Sequence, residues 1–238
     1  MAPADGLYFR QLLSGRDFAA SDVIAQQMRN FAYLIGDRET GDCVVVDPAY
    51  AANDLVDALE ADGMHLSGVL VTHHHPDHVG GSMMGFELKG LAELLERVSV
   101  PVHVNTHEAE WVSRVTGIAR SDLTAHEHGD VVGVGDIDIE LLHTPGHTPG
   151  SQCFLLDDRL VAGDTLFLEG CGRTDFPGGN VDDMYRSLQQ LAQLSGDPTV
   201  FPGHWYSAEP SASLAEVRRT NYVYRASTLD QWRMLMSG

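Results

Sequence analysis

The stretch Thr72-His73-His74-His75-Pro76-Asp77-His78 constrains this chain more than any other feature. It packs four imidazoles and one carboxylate into seven residues. Neighbouring imidazoles resist shared burial unless something pairs them, and histidine is the commonest metal ligand near neutral pH. A carboxylate among them suits a divalent cation. The residues just upstream indicate how the cluster is carried. Gly68-Val69-Leu70-Val71-Thr72 is a short apolar run rich in β-branched residues, which predicts a buried strand. Pro76 cannot donate to a ladder and forces a turn. Side chains of an extended segment alternate, so His73 and His75 project to one side and His74 to the other. Asp77 and His78, past the proline, can curl back over the same place. The spacing therefore predicts two neighbouring metal positions, one at His73 and His75, the other at Asp77 and His78. His74 is left as a packing or supporting residue.

The rest of the composition narrows the setting. With 238 residues, 43% apolar and 21% charged, the chain can bury a core. We expect one domain over residues 1–238 with a short helical tail from about 210 to 238. A formal charge of −19 argues against nucleic acid and against an anionic membrane face as partners. Met1 to Asp22 has no cationic stretch leading into an apolar one, so no secretory signal is expected. No apolar run approaches the roughly 18 residues of a membrane span. Cys43, Cys153 and Cys171 are odd in number and widely spaced, which fits a reducing cytoplasm better than a disulfide framework.

Hydrophobic periodicity places strands at Asn30–Ile35 and Cys43–Val46, then a helix from Asn53 to Asp62 that stops at Gly63. Two helices follow the histidine cluster, Leu88–Val98 and Glu108–Val115, around a strand at Val100–Val104. The second half predicts strands at Val131–Val134, Ile137–Leu142, Gln152–Leu156, Leu160–Ala162 and Thr199–Phe201, with a helix at Asp182–Leu194. Strands then helices in each half suit a layered α/β domain.

Three later segments place a polar residue just after a strand and beside Gly or Pro, where loops carry chemistry on a rigid scaffold. They are Thr144-Pro145-Gly146-His147-Thr148-Pro149-Gly150, Gly163-Asp164-Thr165 and Pro202-Gly203-His204. Taken singly, each is more often a turn, cap or surface residue than a ligand. Together with the first cluster they form an ordered pattern. Thr-His-x-His-x-Asp-His, then His147, Asp164 and His204, resembles the metallo-β-lactamase superfamily. The runs THHHPDH, TPGHTPGS and GDTLFLEGCGR are similar to its glyoxalase II (hydroxyacylglutathione hydrolase) branch, over roughly residues 30 to 210. The β-lactamases proper usually carry cysteine where Asp164 stands.

This resemblance implies an αββα sandwich, with two mixed β-sheets flanked by helices and the site at one edge. It implies that His73, His75 and His147 hold one metal, that Asp77, His78 and His204 hold a second, and that Asp164 bridges them. It implies two divalent ions, zinc foremost, with iron or manganese as alternatives. Asp77 and Asp164 would then orient a bridging hydroxide that attacks an acyl-thiol carbonyl. Asp47 matches an acidic position that supports a metal ligand, against the simpler reading of an Asp-Pro turn. Arg173 and Tyr206 match substrate-binding positions. Asp175 stands where an aromatic residue is usual, and Arg218, Arg219 and Arg225 read more simply as a solvated helix face. Gly172-Arg173-Thr174-Asp175-Phe176 is also similar to the persulfide dioxygenase branch, which uses one iron. A lactonase is a third option. The partner is a small acyl-thiol; the oligomeric state stays open, with a homodimer as one option.

Overall fold

The computed structural model describes residues 6–237. The first half runs β1 (Leu7–Leu13), α1 (Val23–Met28), β2 (Phe31–Asp37), β3 (Asp42–Val46), α2 (Ala52–Ala61), β4 (His65–Leu70) and α3 (Pro76–Val79). A hairpin, β5 (Gly81–Met83) and β6 (Phe86–Leu88), leads to α4 (Leu91–Arg97), β7 (Val102–Asn105), α5 (Ala109–Thr116) and β8 (Leu123–His126). The second half runs β9 (Val131–Val134), β10 (Ile137–His143), β11 (Gln152–Leu156), β12 (Arg159–Gly163), α6 (Val181–Leu191), β13 (Thr199–Pro202), β14 (Ala212–Ser213), α7 (Leu214–Thr220) and α8 (Leu229–Met236).

Two six-stranded mixed sheets result, in the orders β1-β2-β3-β4-β7-β8 and β14-β13-β12-β11-β10-β9. Runs such as Val44-Val45-Val46 are apolar without interruption because both faces of each sheet are covered. Val44 and Val46 enter the layer between the sheets with Tyr33, Ile35, Ile139, Leu141, Phe154 and Val161. Cys43 and Val45 point the other way, under α2 with Leu55 and Leu59. In the second sheet, Cys153, Leu160 and Ala162 face Met184 and Leu188 of α6 and Trp232 of α8. Period-two strands thus feed two cores each, which yields the expected αββα layering. The tail contributes the fully buried Trp232, whose Nε1 donates to the Val181 carbonyl at 2.7 Å.

Several elements depart from the sequence reading. β1 and α1 precede the first expected strand. β6 holds Leu88, so α4 begins later than expected, past Gly90, where a Cβ would strike the backbone of Val79. α6 ends at Leu191 rather than Leu194.

The site lies where strands of both sheets end. Gln152 donates its backbone N–H to the Thr72 carbonyl at 3.0 Å and its side-chain amide to the Val71 carbonyl at 2.8 Å. Phe31 donates to Gly203 at 2.8 Å, and Gly203 donates to Gly163 at 2.8 Å. The Gln152 and Phe31 bonds tie the sheets together at that edge, and the Gly203 bond extends the β12–β13 pairing.

Candidate metal centre

β4 releases the chain into an extended stretch, and Pro76 opens a single helical turn, α3, as its fixed φ allows. His73 and His75 emerge on one side. Asp77 and His78 are turned back by α3. The hairpin between β10 and β11 presents His147, Gly163 ends β12 and presents Asp164, and β13 leads to His204. Gly172 and Gly203 are required here by close approach, since a Cβ at either would collide with Asp164.

Two triads of donor atoms form. His75 Nδ1 lies 3.1 Å from His73 Nε2 and 2.9 Å from His147 Nε2. His78 Nε2 lies 3.2 Å from His204 Nε2, while Asp77 Oδ2 lies 3.4 Å from His204 Nε2 and 3.7 Å from His78 Nε2. Around a zinc-sized ion with bonds of about 2.0–2.1 Å, tetrahedral donors stand about 3.3 Å apart, so both triads have the span of a ligand set. Asp164 faces both, with Oδ2 3.6 Å from His147 Nε2 and 3.4 Å from His204 Nε2, and Oδ1 3.5 Å from His78 Nε2. Its Oδ1 is buried with no hydrogen-bond partner among the described residues. An orphaned carboxylate oxygen between two such triads fits a cation.

In His73, His78, His147 and His204 the opposite ring nitrogen is already engaged. His78 Nδ1 is 2.9 Å from Asp47 Oδ2, His147 Nδ1 is 2.6 Å from the Arg173 carbonyl, and His204 Nδ1 is 2.9 Å from the Met28 carbonyl. His73 Nδ1 lies 3.0 Å from Thr72 Oγ1. Such contacts fix the tautomer and leave Nε2 free for a metal. Asp47 also accepts from the Thr72 N–H at 2.8 Å and the Thr72 hydroxyl at 2.6 Å. Its backbone sits in the left-handed region with φ +52°, a conformation costly for a non-glycine residue and frequent at functional sites.

The triads differ in electrostatics. Burial, with the nearby His78 and His75, drives His73 far below its ordinary pKa. Burial, with His147 and His74, draws His75 down to about 3. These imidazoles are neutral and ready to donate a lone pair. In the other triad burial opposes charge, yet the carboxylates of Asp164 and Asp77 hold His204 well above the usual range, and those of Asp77 and Asp164 raise His78. Burial likewise works against ionising Asp77 and Asp164, but His78 and His204 outweigh it and keep both low.

The structure thus brings His73, His75, His147, Asp77, His78, Asp164 and His204 together, with Asp47 behind His78. Arg173 is placed at the rim, where its guanidinium makes two bonds of 2.9 and 2.6 Å to Asp175 and covers the Phe176 ring at 4.6 Å. Tyr206 stacks on His204 with ring centroids 4.7 Å apart. Arg218, Arg219 and Arg225 are exposed, and Arg219 lies 3.6 Å from Glu216.

Sequence reasoning gives no role to Asn30, Glu108 or Phe176. Asn30 Nδ2 donates to Asp77 at 3.1 Å and its Oδ1 accepts from Tyr50 at 3.0 Å. Phe176 meets His75 edge-on at 5.4 Å. An aromatic residue three positions after Arg173 is the available signal for Phe176. Nothing local marks Asn30 or Glu108. Asn30 reaches Asp77 and His78, 47 and 48 residues along the chain, and Glu108 reaches back 34 residues to His74 and forward 42 to Gly150.

Known proteins resemble this chain in sequence and fold. The family described as the metallo-beta-lactamase superfamily matches residues 27–204. A hydroxyacylglutathione hydrolase of Rhodopseudomonas palustris is 40% identical over 75% of this chain and 64% of its own length, so the chain spans less than two thirds of that relative. The human mitochondrial persulfide dioxygenase ETHE1 is 33% identical over 89% of this chain and 80% of its own. The crystal structure of ETHE1 from Myxococcus xanthus superposes with a TM-score of 0.79 at 30% identity, covering 97% of this chain and 90% of that one.

Proposed function

The chain belongs to the metallo-beta-lactamase superfamily, and on that footing we propose that it is a binuclear metal-dependent hydrolase of the glyoxalase II type, cleaving a small acyl-thioester in the cytoplasm. One observation carries this reading: two complete donor triads meet on Asp164, whose two oxygens reach toward His78 on one side and His147 and His204 on the other. His73, His75 and His147 would hold one divalent ion, and Asp77, His78 and His204 the other, with Asp164 between them. Their nitrogen and oxygen donors suit zinc, and also iron or manganese. Ions bound there would supply a water acidified toward a pKa of about 7 and an electrophilic contact for a carbonyl oxygen.

The chain's own residues set the geometry. Asp164 and Asp77 would help hold the ions and so orient the attacking oxygen. Asp47 holds the His78 ring through Nδ1, and the Arg173 carbonyl does the same for His147. Phe176, against His75, offers an apolar wall for the acyl or thiol group, and Tyr206 offers a hydroxyl at the rim. Arg173 is available to a substrate carboxylate once Asp175 yields it. A thiolate is a good leaving group, so no strong general acid is required.

A second reading has its own support. The human persulfide dioxygenase is covered to 80% of its length, against 64% for the Rhodopseudomonas hydrolase, and the resemblance to the dioxygenase branch implies one iron. A paired assay separates the two. Hydrolysis of an acyl-glutathione thioester without oxygen uptake is expected. Oxygen consumption on glutathione persulfide, with no thioester cleavage, would replace the first reading by the second.

A further inference from the structure

Glu108 lies at the start of α5, behind the three-histidine triad and clear of every donor atom assigned above. Its side chain is 1% exposed. Oε1 accepts the backbone N–H of His74 at 2.8 Å and also contacts His74 Nδ1. Oε2 accepts the backbone N–H of Gly150 at 2.7 Å. His74 sits between His73 and His75, and Gly150 lies three residues past His147. One carboxylate therefore grips both loops that deliver this triad.

The grip is stiff on its own side. Val112 donates to the Glu108 carbonyl at 2.9 Å within α5, and Glu108 donates to the Asn105 carbonyl at 2.9 Å. Trp111, one turn along the same helix, stacks on the His74 ring at 4.9 Å and 24°. The Arg114 guanidinium lies over the Trp111 ring, 5.3 Å from its centroid. The Gly150 loop is pressed against Glu108 so closely that a Cβ there would overlap it. A buried carboxylate is costly unless paired and hydrogen-bonded, and this one has three donors from two separate loops.

We propose that Glu108 is a positioning residue: it clamps the His73-His75 loop to the His147 loop and so sets the affinity of the three-histidine metal position. The inference rests on the metal centre proposed above. It also gives the segment between α3 and β8 a task, because that segment carries Glu108 and Trp111 to the back of the site. Glutamine cannot satisfy both loops, since its amide nitrogen would face a backbone N–H on one of them. Supporting contacts of this kind typically change metal affinity about 10- to 100-fold.

The test is chelator competition on purified full-length protein with cobalt(II) as the probe, no substrate present, alongside thermal unfolding of the metal-free form. Glu108→Gln should weaken cobalt binding at the three-histidine position about tenfold and Glu108→Ala about 100-fold, with an altered cobalt visible spectrum. The exposed Glu110→Gln on the same helix should match wild type. Amide exchange at His74 and Gly150 should quicken in both Glu108 variants. Wild-type cobalt affinity and spectrum in Glu108→Gln would overturn the clamp. So would global unfolding of both variants, which would make Glu108 a residue of the fold and not of the loops. Wild-type protein that binds no cobalt would instead overturn the metal centre itself. Because no substrate enters, a protein that cleaves no thioester tests the clamp equally well.

Discussion

The two halves of the metal centre grow from the same seven residues but differ in chemistry. The triad of His73, His75 and His147 is all nitrogen, and burial holds His73 and His75 neutral. The triad of Asp77, His78 and His204 mixes a carboxylate with two imidazoles that burial penalises and the carboxylates nonetheless keep proton-hungry. The first half is a prepared nitrogen site. A cation entering the second would have to displace its protons, since bound ligands are deprotonated. One loop can therefore build two positions of unequal readiness, with Asp164 facing both.

The largest expected effect follows from that shared donor. Asp164→Ala should lower kcat/KM by about a thousandfold or more, as expected for losing metal-ion catalysis worth several kcal/mol. Metal content should fall with it. Full activity and full metal in this variant would erase the distinction between the halves, because neither would then depend on the bridge.

Acid should separate the halves next. His204 and His78 have raised pKa values when metal-free, so protons compete with the cation there from above their ordinary 6.5 downward. His73 and His75 have lowered values, so protons compete only at lower pH, near 3 for His75. Dialysis at stepwise lower pH should release the metal of the Asp77, His78 and His204 position first. The sign for folding is opposite in the two halves. The depressed His73 and His75 contribute stability that is present above 6.5 and lost as pH falls, whereas His204 contributes stability below 6.5 that is lost as pH rises through its folded value. Simultaneous release of both ions would contradict the ordering.

Asp47→Asn keeps the size of the side chain but removes the carboxylate behind His78. The second position should bind metal about tenfold more weakly while the three-histidine position is unaffected. Equal weakening at both would mean that Asp47 acts through Thr72 and the His73 loop instead, since it accepts from Thr72 as well. The smallest effect is expected at the rim. Asp175→Asn frees Arg173, and KM for thioesters bearing a free carboxylate should fall by no more than a few-fold with kcat unchanged, because exposed ion pairs are weak. A change in kcat would place the pair in the chemistry.

Much of the fold and the site is legible locally. Strands entering the ligand loops announce themselves by unbroken apolar runs, because each alternates between two buried layers, as Val44 and Val45 do. The alternation of His73, His74 and His75 needs only an extended backbone. What is not legible depends on distance along the chain or on weak pattern. β1 carries Arg10 and Gln11 in a half-buried edge strand, so its sequence LYFRQLL lacks a clean period. α1 has only six residues, and in β8 only Leu123 is buried, so neither shows one. The β5-β6 hairpin stands where a helix could begin, and Gly80, Gly81 and Gly85 with positive φ decide otherwise. Glu108 reads as an ordinary first-turn acid of an amphipathic helix. Only the fold sets it beside His74 and Gly150.

The central claim is that both triads hold metal. Anomalous diffraction from a crystal of the zinc-loaded protein tests it directly. Two peaks about 3.5–4 Å apart are predicted, one among His73, His75 and His147, the other among Asp77, His78 and His204, with Asp164 between. A single peak at the three-histidine triad, at saturating zinc and neutral pH, would contradict it.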